Sequence, residues 1–303
     1  MKKNEIYKIG KDLGINDNKI EKIILKITDL SKSQLFLCDD IDDKFIENIK
    51  NSFFRLNNGE PIEYIINNAE FFGLDFYVDN RVLIPRNDTE VMVEKAIEEI
   101  DGLTHPPSGT SLEKGRNYQD ITLIDVGTGS SCIAISILKN INKIENAFLV
   151  DISKDALEIS KINIKLHKLE NQINQIKGDL LKPLLPSPYQ GRNSYKIGKN
   201  LIITANLPYI KNGDFENMDN ETINFEPDIA LYGGENTGFE LYEKLILQCI
   251  ELKKQNYLEN MILFIEIGFD QKEVCEKFLN TLGISYEIFN DNSGIERCVK
   301  ISI

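Results

Sequence analysis

The sequence predicts a doubly wound α/β sheet preceded by a small helical bundle. Three observations carry this. From about residue 120, short apolar runs without alternation recur between helical stretches, as parallel strands buried on both faces do. The first run leads into a turn, Gly127-Thr128-Gly129-Ser130-Ser131, that opens an apolar helix, the usual strand-to-helix join of such sheets. Residues 1–58 instead carry the 3.6-residue rhythm of helices, so they stand apart from the sheet.

The bundle reads in order. Residues 1–14 form an amphipathic helix without the apolar centre of a signal peptide. Ile20, Ile23, Ile24, Ile27 and Leu30 share one helix face, with Asp17 as the expected cap. Phe45, Ile46, Ile49 and Phe53 mark another helix, ending near Asn57-Asn58-Gly59. Residues 59–90 have strand character: Phe71–Val78 and Arg81–Pro85 are expected to pair as a hairpin around Asp79-Asn80. A helix carrying Val91, Val93, Ala96 and Ile97 follows Arg86-Asn87-Asp88-Thr89-Glu90. Arg86 and Glu90 either belong to a capped helix start or border a cleft. Seven strands are expected, at Ile121–Val126, Ala147–Asp151, Ile173–Lys177, Leu201–Ala205, Met261–Ile267, Ser285–Ile288 and Arg297–Ile301. His105–Gln119 and Pro183–Asn200 read as surface loops.

Bulk properties exclude several classes. No apolar run reaches the roughly 18 residues of a membrane span. Five scattered cysteines without a C-x-x-C, and two histidines outside any ligand spacing, argue against a disulfide frame or a metal site and suit the cytoplasm. A net charge of −13 disfavours broad contact with nucleic acid. The expected state is a monomer without direct nucleic-acid binding.

The glycine turn is the stronger of two site signals. Gly127 and Gly129 allow a tight turn and close approach to a ligand, and the helix start beyond offers free N–H groups. Asp151 ends the next strand 22 residues after Gly129, where an acid accepts hydrogen bonds from ribose hydroxyls. A third glycine at Cys132 is absent, which disfavours a dinucleotide, and no phosphate-binding G-x-x-x-x-G-K-[ST] occurs. Asp125, just before the turn, would repel pyrophosphate and attract an ammonium or sulfonium; S-adenosylmethionine carries both. Asp179 and Leu180 follow the third strand and either contact an adenine or cap a turn.

The second signal is Asn206-Leu207-Pro208-Tyr209 at the end of the apolar run Leu201–Ala205. Asn offers one acceptor and two donors in a plane, matching a planar amide or an amino-substituted base. Pro stiffens the turn and Tyr offers a flat face for stacking. A plain strand-ending turn would look the same.

Together these stretches resemble the S-adenosylmethionine-dependent methyltransferases with a seven-stranded Rossmann-like sheet, and more narrowly the release factor glutamine methyltransferase family (HemK/PrmC-like). The narrow match rests on Gly59–Ile65, Val82–Glu90, Asp125–Ser131, Asn206–Ile210, Glu226-Pro227, Ala230-Leu231 and Gly233-Gly234. Glu266-Ile267-Gly268 with Gln271, and Gly294–Arg297, also fit. Two positions depart from the family pattern: Leu207 replaces the first Pro of Asn-Pro-Pro-Tyr, and Ser131 the last Gly of the cofactor turn. Asn-Leu-Pro-Tyr is also similar to the ribosomal RNA adenine dimethyltransferases.

The resemblance implies methylation of the glutamine side-chain amide in the Gly-Gly-Gln motif of peptide chain release factors. Asn206, Leu207, Pro208 and Tyr209 would be the catalytic and substrate-binding residues, with Arg86 and Glu90 beside them. Gly127, Thr128, Gly129, Ser130, Ser131, Asp151, Asp179, Leu180 and Asn206 would hold S-adenosylmethionine, and no metal is expected. Residues 1–75 are the expected helical domain and connector, for release factor docking, and 76–303 the methyltransferase domain. The alternative activity is adenine N6-methylation of RNA or DNA.

Overall fold

Helices α1 (Lys3–Asp12), α2 (Asp17–Thr28), α3 (Lys32–Leu37), α4 (Asp43–Asn57) and α5 (Ile62–Ile66) begin the chain. Ile6, Ile20, Ile23, Ile24, Ile49 and Phe53 are buried together at their centre, each contributing roughly 1.5–3 kcal/mol by leaving water. The cap of α2 is Asn16 rather than Asp17: the Asn16 side chain accepts from the Lys19 N–H at 2.9 Å. Asp17 is the first helical residue, where its charge still favours the helix start. This is a computed structural model, and it describes residues 1–104, 120–144, 146–185, 195–214, 224–255 and 258–303.

The expected hairpin forms elsewhere. Strands β1 (Ala69–Phe71) and β2 (Leu74–Phe76) pair antiparallel around Phe72-Gly73. Both turn residues have positive φ, 51° and 70°, which suits the right-handed twist of a two-residue hairpin. Asp79 instead makes a local turn, its carboxylate gripping the Arg81 guanidinium at 2.6 and 2.9 Å. Arg81–Pro85 runs on without a strand partner. Val82 and Ile84 pack with Tyr64 of α5 and with Ala156 and Ile159. The Tyr64 hydroxyl donates to the Val82 carbonyl at 2.6 Å, tying the bundle to the rest of the chain.

From α6 (Glu90–Thr104) onward the chain alternates β3 (Ile121–Val126), α7 (Cys132–Asn140), β4 (Asn146–Asp151), α8 (Lys154–Leu166), β5 (Ile173–Lys177) and β6 (Asn200–Ala205). Short β7 (Ile210–Lys211) and β8 (Tyr232–Gly234) pair with each other. Helix α9 (Glu240–Gln255), β9 (Asn260–Glu266), α10 (Lys272–Leu282), β10 (Ser285–Asn290) and β11 (Glu296–Ser302) complete the fold. The sheet has seven strands in the order β10-β11-β9-β6-β3-β4-β5. β11 is antiparallel to both neighbours, and the other pairs are parallel. This is the predicted doubly wound class, with strands matching the expected runs to within two residues. Of the two expected loops, 105–119 lies outside the described residues. The other overlaps a short 3-10 turn at Lys182–Leu184, ends where β6 begins at Asn200, and falls partly outside the described residues, at 186–194.

Topology positions the site. β3 pairs with β4 on one side and β6 on the other, so the strand order reverses there and a crevice opens at the C-terminal ends. Val126 is level with Val150 and Ala205, and Ala205 with Ile265. The next residue on each strand therefore falls in one row: Asp151, Gly127, Asn206 and Glu266. Apolar residues of α9 and α10 cover one face, those of α6 and α7 the other.

Candidate active site

A cavity of about 280 Å³ opens at this row of strand ends. Gly127, Thr128, Gly129 and Ser130 form one wall, and Asp151, Asp179 and Leu180 another. Asn206, Leu207 and Pro208 close it on the side of β6, with Arg86 at the edge. Thus most of the residues predicted from sequence meet at one place. Ser131, Tyr209 and Glu90 do not line it.

The glycine turn is bent as expected, with φ of 70° at Gly127 and 51° at Gly129. A Cβ at Gly127 would lie 2.7 Å from Leu207 Cδ2, so the turn and the Asn206 segment touch directly. Asp151 accepts from the Gly129 N–H at 2.9 Å and the Ser153 N–H at 2.8 Å. Burial raises its pKa, and those backbone donors oppose the rise. A nine-tenths-buried carboxylate facing a glycine wall, with apolar Leu180 and Ile152 beside it, fits the hydroxyls and flat base of a nucleoside.

Asp125 plays a different part from the one expected. Thr128 and Thr204 donate to its two carboxylate oxygens at 2.5 and 2.7 Å. It lies beneath the turn rather than on the cavity wall, and burial pushes its pKa up to about 6. Its work is to clamp the turn to β6. Asp179 does line the cavity, but Lys244 and Lys182 reach its carboxylate at 2.7 and 2.6 Å. Burial opposes its ionisation, yet those two ammonium groups outweigh burial and hold its pKa below the usual range.

Ser131, the first departure from the family pattern, caps α7 in the left-handed region with φ of 69°. That conformation costs a non-glycine residue about 1–2 kcal/mol. Its buried hydroxyl donates to Ser160 Oγ at 2.5 Å, a bond glycine cannot make, which offsets part of the cost. At the second departure, the Leu207 N–H donates to the Tyr242 hydroxyl at 2.9 Å. A proline has no N–H for that bond, so the leucine is matched to its surroundings.

Glu90 faces away from the cavity. Its carboxylate accepts from the Phe72 N–H at 2.7 Å and fastens the hairpin turn, which corrects its expected place beside the substrate. Arg86 pairs with the buried Glu226 at 2.6 Å. Glu226 also accepts from the Ile84 N–H at 3.0 Å, so it holds the rim segment from both sides. Tyr209 lies beside the cavity with its hydroxyl 3.4 Å from Glu266 and its carbonyl held by the Gln271 amide at 2.8 Å. Thr89, Tyr242 and Glu266 carry contacts that sequence reasoning did not assign to them. The available signal was that Glu266, like Asn206, is the polar residue closing an apolar run.

Comparison with known proteins agrees with this geometry. Residues 104–189 match the family described as ribosomal protein L11 methyltransferase (PrmA). The release factor glutamine methyltransferase of Clostridium botulinum is 31% identical over 301 residues, covering 98% of this chain and 96% of that protein. That of Clostridium acetobutylicum is 31% identical over 275 residues, covering 89% and 86%. The bifunctional methyltransferase of Rickettsia typhi is 30% identical over 95% of this chain, which spans about half (51%) of its length. Among solved structures, the hMettl16 catalytic domain in complex with MAT2A 3'UTR hairpin 1 superposes with a TM-score of 0.52 at 16% identity, covering 93% of this chain and 89% of that one; this likeness concerns the fold alone. With near-complete overlap at that identity, and with the glycine turn, Asp151 and Asn206 gathered at one crevice, the chain belongs to the release factor glutamine methyltransferase family.

Proposed function

We propose that the chain transfers a methyl group from S-adenosylmethionine to the side-chain amide nitrogen (N5) of the glutamine in the Gly-Gly-Gln motif of peptide chain release factors. One observation carries the reading: Asn206, a planar amide acceptor, stands level with Gly127 at the sheet's switch point. S-adenosylmethionine supplies an electrophilic methyl on its sulfonium. The chain's task is to present a poor nucleophile, since an amide lone pair is delocalised. Asn206 Oδ1 and the Leu207 carbonyl each accept one N–H of the substrate amide, which fixes its plane. As the nitrogen gains positive character, both acceptors bind it more tightly and favour the transition state, and the nitrogen then gives up one of its two protons to water as the N–CH₃ bond replaces the S–CH₃ bond. Pro208 stiffens the segment, and Tyr209, beside the cavity rather than on its wall, backs it through its contacts with Glu266 and Gln271. Gly127–Ser130, Asp151, Leu180 and the edge of Asp179 hold the cofactor, Ser131 fixes the turn from beneath through Ser160, and Arg86 borders the substrate.

The organisation we propose is residues 1–75 as the docking domain and connector, and 76–303 as the methyltransferase domain. The separate core of the bundle supports this, as do Phe36 and Leu37, which stand 82% and 79% exposed on it. Among the described residues no helix is long and apolar enough to cross a membrane. All five cysteines are free thiols, which fits the cytoplasm, and the net charge of −13 fits a monomer that meets a protein rather than nucleic acid.

The test is methyl transfer from labelled S-adenosylmethionine to purified release factors and, separately, to ribosomal RNA. Label is expected on the Gly-Gly-Gln glutamine and absent from a Gln-substituted factor. Label on RNA instead would overturn the reading in favour of adenine methylation. In the same assay Asn206→Ala should nearly abolish transfer while cofactor affinity is kept, and Asp151→Ala should mainly weaken cofactor affinity. The reverse pattern would exchange the two roles.

A further inference from the structure

Glu266 reaches the Asn206 segment by three routes. Thr89 Oγ1 lies 2.6 Å from Glu266 Oε2 and 3.1 Å from Asn206 Nδ2. The Tyr209 hydroxyl lies 3.4 Å from Glu266 Oε1. The Tyr242 hydroxyl donates to the Glu266 carbonyl and accepts from the Leu207 N–H. Glu266 is buried, and Thr89, though it lines the cavity, is only 3% exposed, so the Thr89–Glu266 contact is shielded from bulk water.

The proton count around Thr89 is decisive. A hydroxyl has one proton to give. An ionised Glu266 only accepts, so the Thr89 proton goes to Glu266 and Thr89 can only accept from Asn206. The Asn206 NH₂ must then face Thr89, and Oδ1 must face the cavity. We infer that Thr89 and Glu266 are positioning residues that dictate which end of the Asn206 amide meets the substrate. The inference rests on the proposed role of Asn206 as an acceptor for the substrate amide.

Protonation would reverse the arrangement. A protonated Glu266 donates to Thr89, whose own proton is then free for Asn206 Oδ1. The amide turns over and presents NH₂ to a substrate that also presents N–H groups. The ionisable groups around Glu266 are Asp88 before α6, Tyr209, Tyr242 on α9, and Arg297 and Cys298 on β11. Burial raises the Glu266 pKa, with Asp88 adding to the rise, while the Thr89 and Tyr209 hydrogen bonds and the Arg297 charge oppose it. An acid limb in kcat is therefore expected above the range of an ordinary glutamate.

The experiment compares Thr89→Val, Thr89→Ser and Glu266→Gln with wild type on a release factor that the wild type methylates. Thr89→Val should lower kcat by about 100-fold, a typical cost of a misplaced catalytic group. Its cofactor dissociation constant, which also reports folding, should be unchanged. Thr89→Ser restores the hydroxyl and should recover most of kcat. Glu266→Gln cannot titrate, so the acid limb should disappear. Equal kcat in the Val and Ser variants, or an acid limb that persists in Glu266→Gln, would overturn the inference. Failure of wild type to methylate the factor would instead overturn the proposed function.

Discussion

Asp125 and Asp151 are both buried acids near the ends of neighbouring strands, and their partners give them opposite tasks. Backbone N–H groups hold Asp151 at the cavity wall, while two threonine hydroxyls hold Asp125 beneath it. Asp151 was legible because strand, turn, helix and strand follow in order. The role of Asp125 was not, because Thr204 is 79 residues away and reaches it only through the pairing of β3 with β6. A pH prediction follows from its burial. The Asp125 pKa rises from 3.8 to about 6 on folding, so the folded chain binds more protons across that window. Stability is then lost as pH rises from about 4 to about 6, by roughly 3 kcal/mol at most. Asp125→Asn has no such loss, so its unfolding free energy should gain on wild type across that window in denaturant titrations. A difference independent of pH would contradict the burial argument.

The seven sheet strands were read to within two residues whether buried throughout, as β3 and β6 are, or partly exposed, as β5 and β10 are. Each sheet strand announced itself by composition, and helices α2 and α4 by period, while α3, α5, α8, α9 and α10 were not individually read. The hairpin was misplaced because Gly73 sits inside a run of strand-forming residues, and only the positive φ at Phe72 and Gly73 makes it a turn. The short β7–β8 pair was not expected, since two or three residues carry no periodicity. Yet β8 packs against the Pro208-Tyr209 backbone from behind. A Cβ at Gly233 would lie 2.2 Å from both the Pro208 and Gly238 carbonyl oxygens and 2.8 Å from Tyr209 Cα. These are backbone atoms and cannot rotate aside. Gly233→Ala should therefore cost about 1–3 kcal/mol of stability and lower kcat, with cofactor affinity nearly kept. Wild-type kcat in that variant would mean that β8 does not position Pro208 and Tyr209.

Across the whole molecule, the helical bundle keeps its own core and joins the sheet through Tyr64, Val82 and α8. Phe36 on α3 is 82% exposed and supports no internal packing of note. Phe36→Ser should leave thermal stability unchanged. If the bundle docks the release factor, it should raise KM for the full factor by roughly tenfold, the effect of losing one aromatic anchor. On a short Gly-Gly-Gln peptide, which cannot reach the bundle, KM and kcat should stay at wild-type values. Equal effects on factor and peptide would argue against docking through this face.

By itself, the sequence determined the doubly wound sheet, the helical N-terminal region, the glycine turn and the strand-ending Asn206 segment. These depend on short-range order: apolar runs, period, glycine spacing and the residue that closes a strand. Tertiary structure alone decided which of those residues face the cavity. It turned Glu90 toward Phe72, placed Asp125 under the turn, and brought Thr89 and Glu266 behind Asn206 from 117 and 60 positions away in sequence. The physical reason is register. Pairing of β3, β6 and β9 sets strand ends side by side, and which buried polar groups then satisfy one another depends on that alignment rather than on any local pattern.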